Sequence, residues 1–138
     1  MTKTQLLKVI KNSTALPEEK FRSCKATTRQ AWNNNLMYHG ENVKSFEVLR
    51  SYSTDVAIYI PDTSTAIILG CWSMTTWQHI NKWLNVLAPF KTIYLTPTHN
   101  QIQIKTNKHW DDKYYTKRQI ATMIETDWAE LLGGYSIR

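Results

Sequence analysis

Between Phe46 and Leu87 the spacing of apolar positions changes once, from a period of two to one of about three and a half. Val56, Ile58 and Ile60 alternate with Ala57 and Tyr59, Pro61-Asp62-Thr63-Ser64-Thr65 supplies turn chemistry, and Ala66-Ile67-Ile68-Leu69 resumes an extended apolar run. This predicts a hairpin. Val43 to Tyr52 reads as a preceding strand, so the economical arrangement is an antiparallel meander. Beyond Gly70-Cys71-Trp72, the residues Trp77, Ile80, Leu84 and Leu87 fall at helical spacing, with Gln78, Asn81, Lys82 and Asn85 on the other side. Thr75 followed by Gln78 has capping-box spacing, which predicts a helix from Thr75 to Leu87 that stops before Pro89.

The flanks carry weaker patterns of the same kinds. Thr2 with Gln5 is a second capping box, opening a short helix from Thr2 to Ser13 with Leu6, Leu7, Val9 and Ile10 as its apolar side. Pro17 ahead of Glu18 and Glu19 predicts another brief helix. Ala26 to Trp32 reads as a strand, although Arg29-Gln30-Ala31 suits a helix equally well. Asn33-Asn34-Asn35 is a turn, Leu36-Met37-Tyr38 a short strand, and His39-Gly40-Glu41-Asn42 a turn into the meander. Thr92-Ile93-Tyr94-Leu95, the turn-like Pro97-Thr98-His99-Asn100 and the alternating Ile102 and Ile104 make a second hairpin, and Lys108 to Tyr115 reads as a surface connection. Thr116 with Gln119 starts a final helix, Thr116 to Leu132, which Gly133-Gly134 ends.

The fold predicted is a single α+β domain over residues 1–138: an antiparallel sheet of about five strands packed against a central and a C-terminal helix, with a short N-terminal helix. Its expected core is Val48, Val56, Ile58, Ile68, Trp77, Ile80, Leu84, Ile120, Ile124 and Trp128.

Composition narrows the function classes only a little. The 138 residues include six Trp and seven Tyr, enough large side chains to carry a core or to anchor an interface. Seventeen Lys and Arg against eleven Asp and Glu give a net charge of +6, which favours acidic partners and excludes a mimic of DNA. Cys24 and Cys71 are the only cysteines and lack metal-ligand spacing, which suits a reducing compartment. With no secretory leader and no apolar run near the roughly 20 residues of a membrane span, a soluble cytoplasmic protein is expected.

Candidate chemistry is sparse. His39, His79, His99 and His109 have no ligand partner at metal-binding spacing, so no metal and no cofactor are expected. His79, one turn before Trp83, is read as a structural histidine. The hydroxyl-rich stretches Ser51-Tyr52-Ser53-Thr54 and Ser73-Met74-Thr75-Thr76 lack the GxSxG or SxxK context of a serine nucleophile, so they are assigned to strand ends and a helix cap, with no catalytic residue. Cations interleaved with aromatics are what nucleic acid or an acidic partner recruits. They include Lys25, Arg29, Lys44 and Arg50, and are densest at Lys105, Lys108, Trp110, Lys113, Tyr114, Tyr115, Lys117 and Arg118, the candidate binding residues.

The stretch Ser51-Tyr52-Ser53-Thr54-Asp55-Val56-Ala57 followed by Trp72-Ser73-Met74-Thr75-Thr76-Trp77-Gln78-His79-Ile80-Asn81 resembles a pattern, SYxTxVA then WSxTTxxHIN. Small, mostly uncharacterised proteins of bacteriophages and other mobile elements of Gram-positive bacteria carry it. The resemblance implies a scaffold in which Tyr52 and Trp72 close the ends of the meander, Thr75 caps the helix, and His79 with Asn81 reaches the neighbouring strand. It further implies a non-enzymatic counter-defence inhibitor, similar to an anti-CRISPR protein, that occupies a surface of a host nuclease or ribonucleoprotein complex in the host cytoplasm. The alternative is a basic accessory protein that binds nucleic acid directly.

Overall fold

A computed structural model describes residues 1–21, 23–70, 73–95, 102–106, 113–115 and 132–138. In chain order the elements are α1 (Lys3–Lys11), β1 (Thr14–Ala15), β2 (Glu19–Phe21), β3 (Ser23–Trp32), β4 (Leu36–Tyr38), β5 (Glu41–Asn42), β6 (Phe46–Ser51), β7 (Thr54–Ile60), a 3-10 turn (Pro61–Thr63), β8 (Thr65–Ile68), α2 (Met74–Leu87), β9 (Lys91–Tyr94), β10 (Ile102–Thr106), β11 (Lys113–Tyr115) and β12 (Tyr135–Ile137).

The meander is present as β6, β7 and β8, paired antiparallel with Val48 opposite Ile58 and Ile58 opposite Ile67. It is the middle of a larger sheet. Nine strands run in the order β1, β3, β6, β7, β8, β9, β10, β11, with β2 also on β3, and β12, β4 and β5 form a separate three-stranded sheet. The sheet is mixed, not purely antiparallel as expected, because β9 lies parallel to β8. The cause is α2: a helix between two neighbouring strands returns the chain to the end from which it started, and only a parallel pair can result. The hairpin of β9 and β10 follows, with Ile93 opposite Ile104.

Both faces of the central strands β6, β7 and β8 are covered, so these strands are apolar in both directions. On one face Phe46, Val48, Ile58, Ile60, Ile67 and Ile93 pack with Leu6, Val9 and Ile10 of α1 and with Leu36 and Tyr135 of the small sheet. On the other, Leu49, Ala57, Ala66 and Ile68 pack under Ile80 and Trp83 of α2. Val48, Val56, Ile58, Ile68 and Ile80 are buried as expected. Trp77 and Leu84 are only partly buried, at the flanks of the helix, and Trp83 takes the central place. Ile120, Ile124 and Trp128 lie outside the described residues, as does the predicted helix over 116–131; Leu132, its expected last residue, stands buried in a turn.

Three further expectations are corrected. The stretch after Pro17 is strand, not helix, because β3 offers an edge on which Glu19 pairs with Thr28 and Lys20 with Thr27. Lys113 to Tyr115 is strand β11 and not part of a surface connection. The cap of α2 is Ser73, whose hydroxyl accepts from the backbone N–H of Thr76, so the helix starts at Met74 and Thr75 sits in its first turn. The line Thr76, Ile80, Trp83 then faces the sheet. The Thr2 and Gln5 capping box of α1 is formed as read. Replacing Ser73 by alanine is expected to lower stability by about 1 kcal/mol, whereas Thr75→Ala stays within about 0.5 kcal/mol; urea unfolding of the two variants checks the assignment.

Candidate functional site

The two hydroxyl-rich stretches, distant in sequence, meet in space at one end of the sheet. Ser51 closes β6 and pairs with Thr54 of β7, so Tyr52-Ser53 is a two-residue hairpin turn. Such turns need positive φ and normally use Gly, Asn or Asp. Here Tyr52 itself has φ +60°. A bulky side chain in this region costs on the order of 1–3 kcal/mol and persists only where the surroundings hold it.

The surroundings do hold it. The Tyr52 N–H donates to the Lys25 carbonyl of β3 at 2.7 Å. Arg50 donates to the Ser53 carbonyl at 3.2 Å and to Glu18 at 3.1 Å. Beside it Arg29 grips Asp55 with two bonds of 2.8 and 2.9 Å. Arg29 and Arg50, both read from sequence as candidate binding cations, are thus engaged by carboxylates and fix the turn.

Below the turn runs a chain of side-chain hydrogen bonds. Ser73 donates to Thr76 Oγ1 at 3.1 Å, Thr76 and Ser51 lie 3.1 Å apart, and Ser51 Oγ is 2.9 Å from His79 Nδ1. Each hydroxyl has one proton to give. Ser73 donates to Thr76, and Ser51 stands between Thr76 and His79 Nδ1, with the direction of its two bonds set by the tautomer of His79. His79, read from the sequence as resting against Trp83, is bonded to Ser51 of the neighbouring strand. Ser51 is only 2 % exposed. The network positions the turn.

Partial burial and the charges of Lys82 and Lys25 lower the pKa of His79 from its ordinary value of 6.5. A base whose folded pKa lies below its unfolded value contributes stability that is complete above the unfolded pKa and is lost as pH falls through the folded one. Thermal unfolding is therefore expected to show lower stability at pH 5 than at pH 7.5, and His79→Gln, which keeps a partner for Ser51, should flatten that difference.

What the network supports is the Tyr52 ring, 53 % exposed. Its centroid lies 6.2 Å from that of His79, and Lys25 Nζ stands 5.8 Å over it. Met74, 74 % exposed, opens α2 next to the cap at Ser73. Of the candidate binding residues read from sequence, Lys105 lies on β10 opposite Thr92, and Lys113, Tyr114 and Tyr115 lie on β11 opposite Ile104, Gln103 and Ile102. Lys108, Trp110, Lys117 and Arg118 fall outside the described residues, as does Trp72. Among the described residues no group of three or more His, Cys, Asp or Glu is arranged to hold a metal, and no helix is long and apolar enough to cross a membrane.

Ser51, Tyr52, Ser73, Thr76 and His79 all fall within one matched region. A protein-family model covers residues 19–95, more than half of the chain. The chain belongs to a family of unknown function, DUF8033. No curated protein and no solved structure matches it. The DUF8033 region begins at β2 and ends just after β9, so it holds the meander, α2 and the parallel strand, and leaves α1, β1, β10, β11 and β12 outside. Lys105 and the other candidate binding residues up to Arg118 are likewise outside it.

Proposed function

We propose that this DUF8033 protein is a non-enzymatic binding protein of mobile-element type, a counter-defence inhibitor that blocks a host nuclease complex by occupying one of its surfaces. The observation that carries the reading is Tyr52. An aromatic ring is held exposed on a strained, multiply anchored turn, and strain of this kind clusters at functional sites. Aromatic anchors on rigid supports are the residues that dominate binding energy at interfaces. The likeness of SYxTxVA and WSxTTxxHIN to proteins of phages and mobile elements supplies the biological setting, and Ser51, Tyr52, Asp55, Ser73, Thr76 and His79 of that likeness belong to the turn and the bonds around it.

The test is plasmid interference in a Gram-positive host that carries an RNA-guided nuclease. Expression of the protein is expected to restore uptake of a targeted plasmid, and Tyr52→Gly, which removes the ring from a backbone conformation that glycine adopts readily, is expected to abolish the effect. Targeted plasmid uptake that the wild-type protein leaves unchanged contradicts the proposal.

A further inference from the structure

We infer that the Tyr52 turn is a seat for single-stranded nucleic acid, with one unpaired base stacked on the exposed Tyr52 ring and the adjoining phosphate held by Lys25 and Lys82. The inference rests on the binding reading above and names the chemistry of the partner surface.

Two requirements of single-strand recognition meet here. The first is a flat π-face on a support that does not have to be ordered on binding. Tyr52 supplies it, with its backbone pinned to Lys25 and its turn pinned by Arg50. The second is positive charge beside that face. Lys25 Nζ lies 5.8 Å from the ring centroid, and Lys82 follows His79 by three residues on α2, on the same side of the helix. Both lysines act on His79, whose ring centroid lies 6.2 Å from that of Tyr52, and with its partial burial lower its pKa. Among the described residues, Glu18 pairs with Arg50 and Asp55 with Arg29 at this end of the sheet.

Stacking does not depend on base identity, so the seat is tolerant of sequence. A duplex, whose base faces are covered, cannot use it. An acidic protein segment meets the lysines but has no base to stack. The expected discrimination is therefore by strandedness and by the Tyr52 ring together.

The experiment is fluorescence anisotropy of the full chain with a labelled 12-nucleotide RNA, the DNA of the same sequence and the corresponding duplex, at about 50 and 200 mM salt, where phosphate contacts register. The wild-type protein is expected to bind both single strands more tightly than the duplex. Tyr52→Gly should weaken single-strand binding at least about tenfold, in line with the loss of one stacked base, while Tyr52→Phe keeps it within about twofold. The Lys25→Gln, Lys82→Gln double variant should reduce the salt slope by about 0.7, the value for one phosphate contact on a single strand. Equal binding by Tyr52→Gly and the wild type, a preference for duplex, or absence of binding overturns the inference. If interference is blocked without nucleic-acid binding, the seat takes protein, and the proposed inhibition stands without this inference. If single strands bind through Tyr52 and interference is untouched, the inference stands and the inhibitor reading falls.

Discussion

Replacing Trp83 by alanine is expected to lower the free energy of unfolding by about 3–5 kcal/mol, read as a drop in the urea midpoint at unchanged slope. Trp83 is 1 % exposed and is the largest side chain that α2 contributes to the core against Leu49, Ala57, Ala66 and Ile68. Removing it opens a void on that face of the sheet which the flanking Trp77 and Leu84 cannot fill without shifting the helix. Among the described residues its Nε1 is the one buried side-chain polar atom without a partner at hydrogen-bond geometry. The indole nevertheless lies close enough to Glu47 to hold that carboxyl's pKa down in part against the burial that raises it. Trp83→Phe, which keeps a ring in the same place and leaves a smaller void, is expected to cost far less than Trp83→Ala.

Phe46→Ala is the matching experiment on the opposite face, and about 3–5 kcal/mol is expected there as well. Phe46 is fully buried among residues that α1 and the small sheet cover, and it belongs to a cluster separate from that of Trp83. Either loss is a large fraction of the roughly 5–15 kcal/mol by which domains are stable. Each single variant should therefore be folded but fragile, and the double variant should be unfolded by far-UV circular dichroism at room temperature. A double variant whose loss departs from the sum of the two single losses by more than about 0.5 kcal/mol means that the two faces are not independent layers around one sheet.

The sequence spoke most clearly where burial is periodic. Val56, Ile58 and Ile60 alternate because one sheet carries them, and the change of period after Gly70 announces α2 with little ambiguity. The parallel pair of β8 and β9 follows from the same observation, since a helix between adjacent strands implies it; the hairpin signals on either side drew the reading towards an all-antiparallel sheet. Pro17-Glu18-Glu19 has good local chemistry for a helix start, and the open edge of β3 overrode it. Ser73 and Thr75 are nearly equivalent as caps in local terms, and only the burial of Thr76, Ile80 and Trp83 chose between them.

The candidate site was the least legible part. Its hydrogen bond between Ser51 and His79 spans 28 residues, and nothing in local spacing announces such a contact. Tyr52-Ser53 has none of the residues that normally mark a two-residue hairpin turn. That absence, between two well-formed strands, was the signal available. The cation-rich stretch from Lys105 to Arg118 drew attention because density of charge and aromatics can be counted along a chain, whereas the grouping of Lys25, Tyr52, His79 and Lys82 exists only after folding.

If Tyr52 is kept in a left-handed conformation for what its ring does outside the molecule, the fold gains nothing from the ring. The most direct test is the free energy of unfolding of Tyr52→Gly by urea titration. Glycine relieves the strain while adding some freedom to the unfolded chain, so the variant is predicted to be as stable as the wild type or up to about 1 kcal/mol more stable. A variant destabilised by more than about 1 kcal/mol would make Tyr52 a packing residue and contradict its role as a displayed contact.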